Sequence, residues 1–319
     1  MGKHIHYTKE VTEFIKLRCE STSNNTAIAR QVIKEFELDV ELERVRKRVQ
    51  KIRTNHKVRA EGYQVKRLFA DIETGYYTAP VWGCFKQFIR PEVLRGEKKI
   101  ICISYKWQYE DKVHTLKWVE KDGEFCDKEL IKKFIKVLAQ ADEVCGHNWD
   151  RFDEKEIRAR AILNGVLMYP KYRTIDTLKK VKQFARFPSN KLDYLGKAME
   201  VGQKLEHAGF NLWERCQEGD TKKIRKDALA EMVAYCEQDV ILLEDVFNVL
   251  MPYIDHNTNF AVLKGGRKWQ CPECGGKDVE LSHTDTTPMG YIKRHMRCSC
   301  KKTYHISNRS YQKYLTKRD

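Results

Sequence analysis

The stretch that decides the fold is Gln64-Val-Lys-Arg-Leu-Phe-Ala-Asp-Ile-Glu-Thr74, in which an apolar run leads into two acidic residues. Its composition predicts a strand that ends at polar chemistry. Asp71 and Glu73 are two positions apart, so both side chains leave the same face of a strand. Neighbouring carboxylates repel one another and need a cation to be stable there. For an isolated pair of this kind, an exposed strand end is the ordinary explanation.

Outward from this stretch, predicted strands alternate with predicted helices. The strands are expected at 64–71, 99–105, 113–119, 143–146 and 172–175, and the helices at 125–139, 153–163, 176–185, 191–199 and 225–250. Asn164-Gly165 is a suitable end for the helix that begins at Asp153. This order predicts one mixed α/β domain with a central sheet over residues 61–255.

Two further acidic motifs follow in the same domain. The first of them is Cys145-Gly-His-Asn-Trp-Asp-Arg-Phe-Asp153, in which a predicted apolar strand leads into a polar turn and Asp153 begins a helix. The alternative to a functional role is that Asp153 is only the N-cap of this helix. In Tyr235-Cys-Glu-Gln-Asp239 the tyrosine and the aspartate are four residues apart and share one helix face. Each motif alone is weak, whereas their order and contexts point to one site.

Taken in order, the three motifs resemble those of the DEDD (DnaQ-like) 3′–5′ exonuclease superfamily, in its tyrosine subclass. The resemblance covers about residues 65–250 and includes the connecting segments Thr174–Leu178 and Lys191–Leu195. Similar domains are the proofreading domains of family B DNA polymerases and related stand-alone nucleases. The resemblance implies an RNase H-like fold, with a mixed central sheet flanked by helices.

The resemblance also implies hydrolysis assisted by two Mg²⁺ or Mn²⁺, about 4 Å apart, which stabilise the attacking and leaving oxygens. Asp71, Glu73 and Asp239 would hold the metal that activates water. Asp71 and Asp153 would hold the other metal, with Asp153 bound directly or through water. Tyr235 would orient the attacking water or help to deprotonate it.

Other polar residues near the motifs have weaker assignments. Thr74, Asn148 and Phe152 are predicted to contact the terminal nucleotide. The other subclass of the family carries a histidine inside the third motif, at the place that Ala234 occupies here. His147 is therefore given no catalytic role.

An insertion of about 24 residues, 75–98, separates the first motif from the next strand, where the family usually has a shorter connection. Its aromatic residues are Tyr76, Tyr77, Trp82, Phe85 and Phe88. It is predicted to be either a hairpin that stacks unpaired bases at the active site or an insertion packed on its own small core.

The N-terminal segment, residues 1–60, resembles a helix-turn-helix domain. Apolar residues recur at helical spacing over Val11–Leu17, Ala27–Phe36 and Leu42–Ile52. The third of these helices also carries Arg44, Arg46, Lys47, Arg48, Lys51 and Arg53. This helix is therefore predicted to contact phosphates, and the reading of bases in the major groove is a separate hypothesis. The alternative is a three-helix bundle that binds protein.

The C-terminal segment, residues 266–312, resembles a zinc ribbon in which Cys271-Pro-Glu-Cys274 and Cys298-Ser-Cys300 form two knuckles. Cysteine pairs at this spacing suit one tetrahedral, structural Zn²⁺, with His295 or His305 able to replace one cysteine. A second nucleic-acid contact is predicted for Tyr291, Lys293, Arg294, Arg297, Lys301, Lys302 and Tyr304. The alternative is a purely structural module.

Charge and hydropathy narrow the class of protein. The net charge of the 319 residues is +15, of which residues 1–60 contribute +6 and residues 256–319 contribute +8. This distribution suits flanking modules that hold a polyanion. The mean hydropathy is −0.65, and neither a signal peptide nor a membrane span is expected. The expected location is cytoplasmic, in the host cytoplasm if the chain is viral.

Scattered cysteines are expected to be buried in a reducing compartment; they are Cys19, Cys84, Cys102, Cys126, Cys145, Cys216 and Cys236.

Together these features predict a 3′–5′ exonuclease that acts on single-stranded DNA 3′ ends and releases nucleoside monophosphates. One alternative is a 3′–5′ exoribonuclease. Another is a nucleic-acid-binding regulator with an inert nuclease-like core, although no acidic residue of the motifs is missing. An RNase H-like strand-transfer enzyme is the third, and the acidic pair on the first strand argues against it.

Overall fold

The computed structural model divides the chain into two compact units, one of residues 66–251 and the other of residues 1–65 and 252–319. The structure describes residues 9–21, 25–38, 40–60, 65–83, 85, 87–121, 124–168, 172–205, 209–254, 259–263 and 265–316. Gln64, Cys84 and the side chain of Arg53 lie outside this part. The domain boundaries 1–60, 61–255 and 266–312 stay a prediction.

The N-terminal segment forms helices α1 (Lys9–Ser21), α2 (Asn25–Glu35) and α3 (Leu42–Ala60). Their facing sides share an apolar core, in which the rings of Phe14 and Phe36 meet edge to face at 5.4 Å. Leu17 was expected on this face but is 65% exposed. It lies two residues from the buried Ile15, and positions two apart point to different sides of a helix.

Residues 66–251 are built on a five-stranded sheet with the order β3-β2-β1-β6-β7. The strands of this unit are β1 (Arg67–Thr74), β2 (Ile100–Trp107), β3 (His114–Lys117), β4 (Val119–Lys121), β5 (Glu124–Cys126), β6 (Glu143–Gly146) and β7 (Arg173–Asp176). β6 and β7 run parallel to β1, whereas β2 is antiparallel to both β1 and β3. The predicted mixed α/β class is confirmed. The carboxyl ends of parallel strands lie at the same end of the sheet, so the segments that follow β1, β6 and β7 come together there.

Six helices flank this sheet among the described residues: α4 (Lys128–Leu138), α5 (Asp153–Leu163), α6 (Thr177–Phe184), α7 (Leu192–Ala198), α8 (Asn211–Glu218) and α9 (Lys222–Leu250). The prediction missed α8. It was also wrong to begin a helix at Phe125, because residues 124–126 pair with β4 as a separate hairpin. The ring of Phe125 stacks on Trp118 at 4.2 Å, a contact that local helical periodicity cannot anticipate. Cys126 is exposed there, unlike the buried cysteine that was expected.

The two faces of β1 contact different helices. Leu68, Ala70 and Ile72 belong to the apolar core that includes α4 and α5. On the other face, the ring of Phe69 packs on Phe247 of α9 at 5.3 Å. Because side chains alternate along a strand, Asp71 and Glu73 share the face of Phe69 and point towards α9.

A buried charge network joins β2, α4 and α5 through Asp127. The Asp127 carboxylate accepts hydrogen bonds from Nε of Arg160 at 2.7 Å, the Ile100 N–H at 3.0 Å and Nδ2 of Asn164 at 3.0 Å. Burial alone would raise the pKa of Asp127, but these bonds and the charge of Arg160 hold it below its ordinary value. The ionised carboxylate therefore stabilises the folded unit.

Replacing Asp127 by alanine is expected to lower the free energy of unfolding by about 3 kcal/mol, because the buried guanidinium of Arg160 loses its main partner. Since the folded-state pKa is the lower one, the stabilisation is complete above about pH 4 and is lost as the pH falls further. Urea unfolding at pH 7 and pH 3 measures both effects. The matched control is Glu129→Ala, whose exposed pair with Lys132 contributes at most about 1 kcal/mol. Equal losses in the two variants would contradict this assignment.

The C-terminal segment contains α10 (Phe260–Leu263), then β8 (Val279–Thr286), β9 (Ile292–Cys298), β10 (Thr303–Ser307) and α11 (Asn308–Leu315). The three strands form an antiparallel sheet with β9 in the centre. Helix α11 is attached through Tyr314, which is buried and donates its hydroxyl to the Val279 carbonyl at 2.8 Å. No helix in the described part of the chain is long and apolar enough to cross a membrane.

Candidate functional site

Three carboxylates from two distant parts of the sequence meet between the central strand β1 and helix α9. Asp71 and Glu73 come from β1, and Asp239 comes from the middle of α9, where only 1% of its surface is exposed. One oxygen from each of the three residues lies within 4.8 Å of the other two. Carboxylate oxygens at this spacing fit a hard divalent cation such as Mg²⁺ or Mn²⁺.

Asp153 lies beside these three residues without being a member of their 4.8 Å group. It is the first residue of α5 and is buried, and its Oδ1 accepts the Ile72 N–H at 3.3 Å. The pairing of β1 with β6 covers only residues 67–69, so the β1 backbone beyond it is open to Asp153. The plain alternative of a simple N-cap does not describe this residue, because Phe152 holds the N-cap position and the Asp153 side chain also binds the backbone of β1.

Burial and the charges of neighbouring acids raise the pKa of three of these carboxyls, Asp71, Glu73 and Asp153. Burial and the charge of Asp239 raise the pKa of Asp71 to about 7. Burial and the charge of Asp71 raise the pKa of Glu73 and of Asp153 well above their ordinary values. Such repulsion is characteristic of a site whose charge is balanced by a cation.

Lys204 is a site residue that the sequence analysis missed. Its ammonium group forms an ion pair with Asp239, donates to the Tyr235 hydroxyl at 3.1 Å and lies 5.1 Å from the centre of the Tyr235 ring. Its charge opposes the rise in the pKa of Asp71 and of Glu73. Lys204 thus supplies positive charge to the acidic group.

The position of Lys204 depends on a segment that the family resemblance had included. Lys204 follows α7 in a stretch without regular structure, so no periodicity marks it. Its backbone N–H donates to Asp193 at 3.0 Å, and Asp193 belongs to the connecting segment Lys191–Leu195. Only an indirect signal in the sequence could have led to Lys204. Asp193 is an acid in a connecting segment of the family and has no evident catalytic role, and its contact is the backbone of Lys204.

Tyr235 lies one helical turn before Asp239 and is 8% exposed. Burial and the charge of Asp239 raise the pKa of its hydroxyl to about 12, against the effect of Lys204. At neutral pH the phenol is therefore protonated. It can orient a water molecule by hydrogen bonding, but it is poorly suited to remove a proton.

The turn between β6 and α5 is held in an unusual conformation. A side chain at Gly146 would come within 2.8 Å of Trp149 Cβ, so only glycine fits under that buried ring. Asn148 adopts a left-handed conformation with a φ of 71°. Asp176, at the end of β7, accepts the N–H groups of Asn148 at 3.0 Å and Asp150 at 3.2 Å. These contacts determine where α5 begins and hence where Asp153 lies.

His147 has a structural environment. Its Nδ1 lies 2.9 Å from the Thr177 hydroxyl and its Nε2 lies 2.9 Å from the Asn190 carbonyl. Burial lowers its pKa, which favours the neutral ring. With both ring nitrogens engaged, His147 has no free atom for proton transfer.

The three predicted nucleotide contacts lie near the acidic residues in the chain, on β1 or in the turn before α5. Thr74 ends β1 just beyond Glu73, Asn148 lies in the turn, and Phe152 directly precedes Asp153. Phe152 is 39% exposed, and its ring centre is 5.4 Å from the ammonium group of Lys98. Their contact with a nucleotide stays a prediction.

Four buried cysteines meet in the C-terminal segment. The sulfur atoms of Cys271, Cys274, Cys298 and Cys300 all lie within 4.8 Å of one another. Cys271 and Cys300 are 3.7 Å apart, and Cys274 and Cys298 are 3.6 Å apart. Sulfurs bound tetrahedrally to Zn²⁺ at about 2.3 Å are separated by about 3.8 Å, whereas a disulfide requires about 2.05 Å. This four-cysteine cluster fits a zinc ribbon, and neither nearby histidine belongs to it.

The predicted nucleic-acid contacts of this segment differ in accessibility. Lys293, Arg297, Lys301 and Tyr291 are exposed. Lys302 is 2% exposed and donates to the Ile254 carbonyl, so it cannot serve as a surface contact. Local charge patterns do not reveal such an inward-pointing lysine.

Comparison with solved structures finds a likeness to the family B DNA polymerase from the hyperthermophilic archaeon Pyrobaculum calidifontis, with 15% identity and a TM-score of 0.44. The match covers 59% of this chain and 25% of the polymerase, so the chain spans about a quarter of that protein's length. A likeness at this level does not bear on activity. Comparison with curated proteins finds no match.

A sequence profile described as the RNase_H superfamily matches residues 92–251, half of the chain. The matched segment begins after β1 and contains Asp153, Tyr235 and Asp239. By this match the protein belongs to the RNase H superfamily, and its mixed sheet with flanking helices is an RNase H-like fold.

Proposed function

We propose that this protein is a two-metal 3′–5′ exonuclease of the tyrosine subclass, which removes nucleotides from single-stranded DNA ends. The observation that carries the proposal is the meeting of Asp71, Glu73 and Asp239 within 4.8 Å, with Asp153 beside them. Membership of the RNase H superfamily supports a nuclease. The complete acidic set favours this function over a regulator with an inert core.

The residues of the site have distinct roles in this proposal. Asp71, Glu73 and Asp239 would hold one divalent cation, and Asp71 with Asp153 would hold the second. Bound Mg²⁺ or Mn²⁺ would supply an activated water and stabilise the negative charge that develops on phosphate oxygens. Tyr235, protonated at neutral pH, would orient the attacking water.

Lys204 is proposed to have two positions. Without a divalent cation its ammonium group balances the charge of Asp239. When cations neutralise the acids, the side chain is free to contact a phosphate oxygen of the substrate. A flexible lysine suits this exchange, because its charge stays fixed while its four-carbon stem moves.

Lys204→Met is expected to lower the hydrolysis rate by about 10²-fold, because one cationic contact to the developing charge is lost. Binding of Mn²⁺ should not weaken, since the substitution removes a competing cation. Single-turnover hydrolysis and isothermal titration with Mn²⁺ measure the two effects. Lys132→Met is the matched control, because Lys132 is exposed and pairs with Glu129 on α4, outside the acidic group. A rate within about twofold of wild type would remove Lys204 from the proposal.

The polarity and substrate are tested on the wild-type protein with 5′-labelled single-stranded DNA and RNA of equal sequence. Shortening from the 3′ end by one nucleotide at a time, in Mn²⁺ but not in EDTA, is the expected result. A 3′-phosphorothioate end should resist. Faster loss of RNA would indicate the exoribonuclease, and intact ends on both strands would contradict a nuclease.

The flanking segments are proposed to hold nucleic acid and to add affinity rather than chemistry. The basic helix α3 and the exposed basic residues of the C-terminal segment support this role. Binding through phosphates predicts that affinity for DNA falls steeply with salt concentration.

The four-cysteine cluster is proposed to hold a structural Zn²⁺. The cytoplasmic location stays an expectation.

A further inference from the structure

The insertion at 75–98 has a fixed neck. The N–H of Gly75 donates to the Lys99 carbonyl at 2.8 Å, and the N–H of Arg95 donates to the Thr78 carbonyl at 2.7 Å. Gln217 of α8 exchanges two hydrogen bonds of 3.2 Å with the backbone of Tyr76. The neck therefore positions the rest of the insertion relative to the sheet.

The tip of the insertion exposes its aromatic side chains. Trp82 is fully exposed, and Phe88 and Phe85 are 91% and 89% exposed. The alternative of an insertion packed on its own small core is therefore wrong for these three residues. Large aromatic side chains that are each almost wholly exposed and lie this close together in the chain are apolar groups that a bound partner could cover.

The charge of the insertion limits the kind of partner. It carries Lys86, Arg90, Arg95 and Lys98 against Glu92 and Glu97. Arg90 and Arg95 are both exposed. Aromatic faces interleaved with positive charge suit a ligand that has flat apolar rings and a negatively charged backbone. Single-stranded nucleic acid has both properties, whereas a duplex keeps its base faces covered.

A chain of contacts connects this segment with the acidic site. The ammonium group of Lys98 lies 5.9 Å from the ring centre of Tyr77 and 5.4 Å from that of Phe152. Phe152 directly precedes Asp153. Lys98 thus contacts both Tyr77 of the insertion and the aromatic residue next to Asp153, so the base of the insertion lies close to the acidic site.

We infer that Trp82, Phe85 and Phe88 form a platform on which unpaired bases of the substrate strand stack. Such a platform gives a preference for single strands over duplexes, because only unpaired bases present their faces to it. The inference rests on the proposed function, since the occupant is the strand being degraded. Binding is nevertheless measurable without hydrolysis.

The test measures binding of the full chain in EDTA by fluorescence anisotropy. The two labelled probes are a single-stranded oligo-dT of about 12 nucleotides and a blunt duplex of the same length. This length lies within the site size of one stacking groove. Combining Trp82→Ala, Phe85→Ala and Phe88→Ala should raise the Kd for oligo-dT by at least about tenfold. The Kd for the duplex should change less than about twofold, because its base faces are covered. Trp82→Phe alone should keep most of the affinity, because it keeps a ring.

The matched control replaces Ile162, Leu163 and Leu167 by alanine. These apolar side chains are 78%, 63% and 73% exposed; Ile162 and Leu163 end α5 at the end remote from Asp153, and Leu167 follows it. The control should bind both probes as wild type does. Unchanged oligo-dT binding by the platform variant would overturn the inference. Equal losses of affinity for both probes would overturn it too. So would a platform variant that loses binding to phosphatidylserine vesicles while its DNA binding is unchanged.

The outcomes separate this inference from the proposed function. If the wild-type protein degrades no strand but the platform variant loses oligo-dT binding, the nuclease proposal fails and the platform stands as a binding site for single strands that are not degraded. If the wild-type protein degrades DNA and the platform variant binds oligo-dT normally, the platform fails and the nuclease stands.

Discussion

Asp239→Asn is expected to lower the Mn²⁺-dependent hydrolysis of single-stranded DNA by on the order of 10³-fold or more. The asparagine keeps the shape of the side chain but removes one of three charges that hold a cation, and such a cation contributes several kcal/mol to the transition state. Affinity for oligo-dT in EDTA should stay within about threefold of wild type, since the acids repel the phosphates and do not bind them. Single-turnover kinetics and anisotropy measure the two properties.

Glu231→Gln is the control for this substitution. Glu231 lies on the same helix, is exposed and pairs with Arg215 at 2.7 Å, outside the acidic group. It should hydrolyse DNA at the wild-type rate. If Asp239→Asn does so as well, the carboxylates do not hold the catalytic cations and the proposed function is wrong. Asp71→Asn should match Asp239→Asn, because Asp71 is assigned to both cations.

Cys298→Ala is expected to abolish the binding of one Zn²⁺ per chain and to unfold the three-stranded sheet β8–β10. This segment is small, and its folding is proposed to depend on the metal that the four cysteines bind. Structural zinc sites of this kind contribute about 10–16 kcal/mol of binding free energy to folding. Metal analysis of the purified protein measures the zinc content. Hydrogen exchange of the β9 amides, which form the centre of the sheet, measures folding.

Cys126→Ala should leave both readouts unchanged, because Cys126 is exposed in the β4–β5 hairpin of the other unit. A strong chelator should reproduce the effect of Cys298→Ala in the wild-type protein. The zinc assignment is wrong if the purified chain contains no zinc, or if β9 stays protected from exchange after the metal is removed.

Several features of the fold and site could be predicted from local sequence. The alternation along β1 correctly separated the apolar face of Leu68 and Ile72 from the acidic face of Asp71 and Glu73. β6 was predicted at its observed residues, 143–146, because a short apolar run is bounded by polar turns. The cysteine spacing in the C-terminal segment likewise predicted four sulfurs at one point.

Other features depended on contacts between distant residues. Phe125 is in a strand because its ring stacks on Trp118, although its own sequence context favours a helix. Lys204 reaches Asp239 only because Asp193 holds its backbone. The full exposure of Trp82 could not be predicted either, since aromatic composition alone is equally compatible with a small core.

The sequence by itself determined most of the strand and helix types, although not α8 or the strand at Phe125. It also determined the shared face of Asp71 and Glu73 and the two sets of candidate metal-binding residues, because these follow from periodicity and spacing. Only the tertiary structure decided that Asp239 comes within 4.8 Å of Asp71 and Glu73, and that Asp153 binds the backbone beside them. The physical reason is that distances between residues remote in sequence are decided by how helices pack on the sheet. That packing is a property of the whole unit, and no local window of the chain contains it.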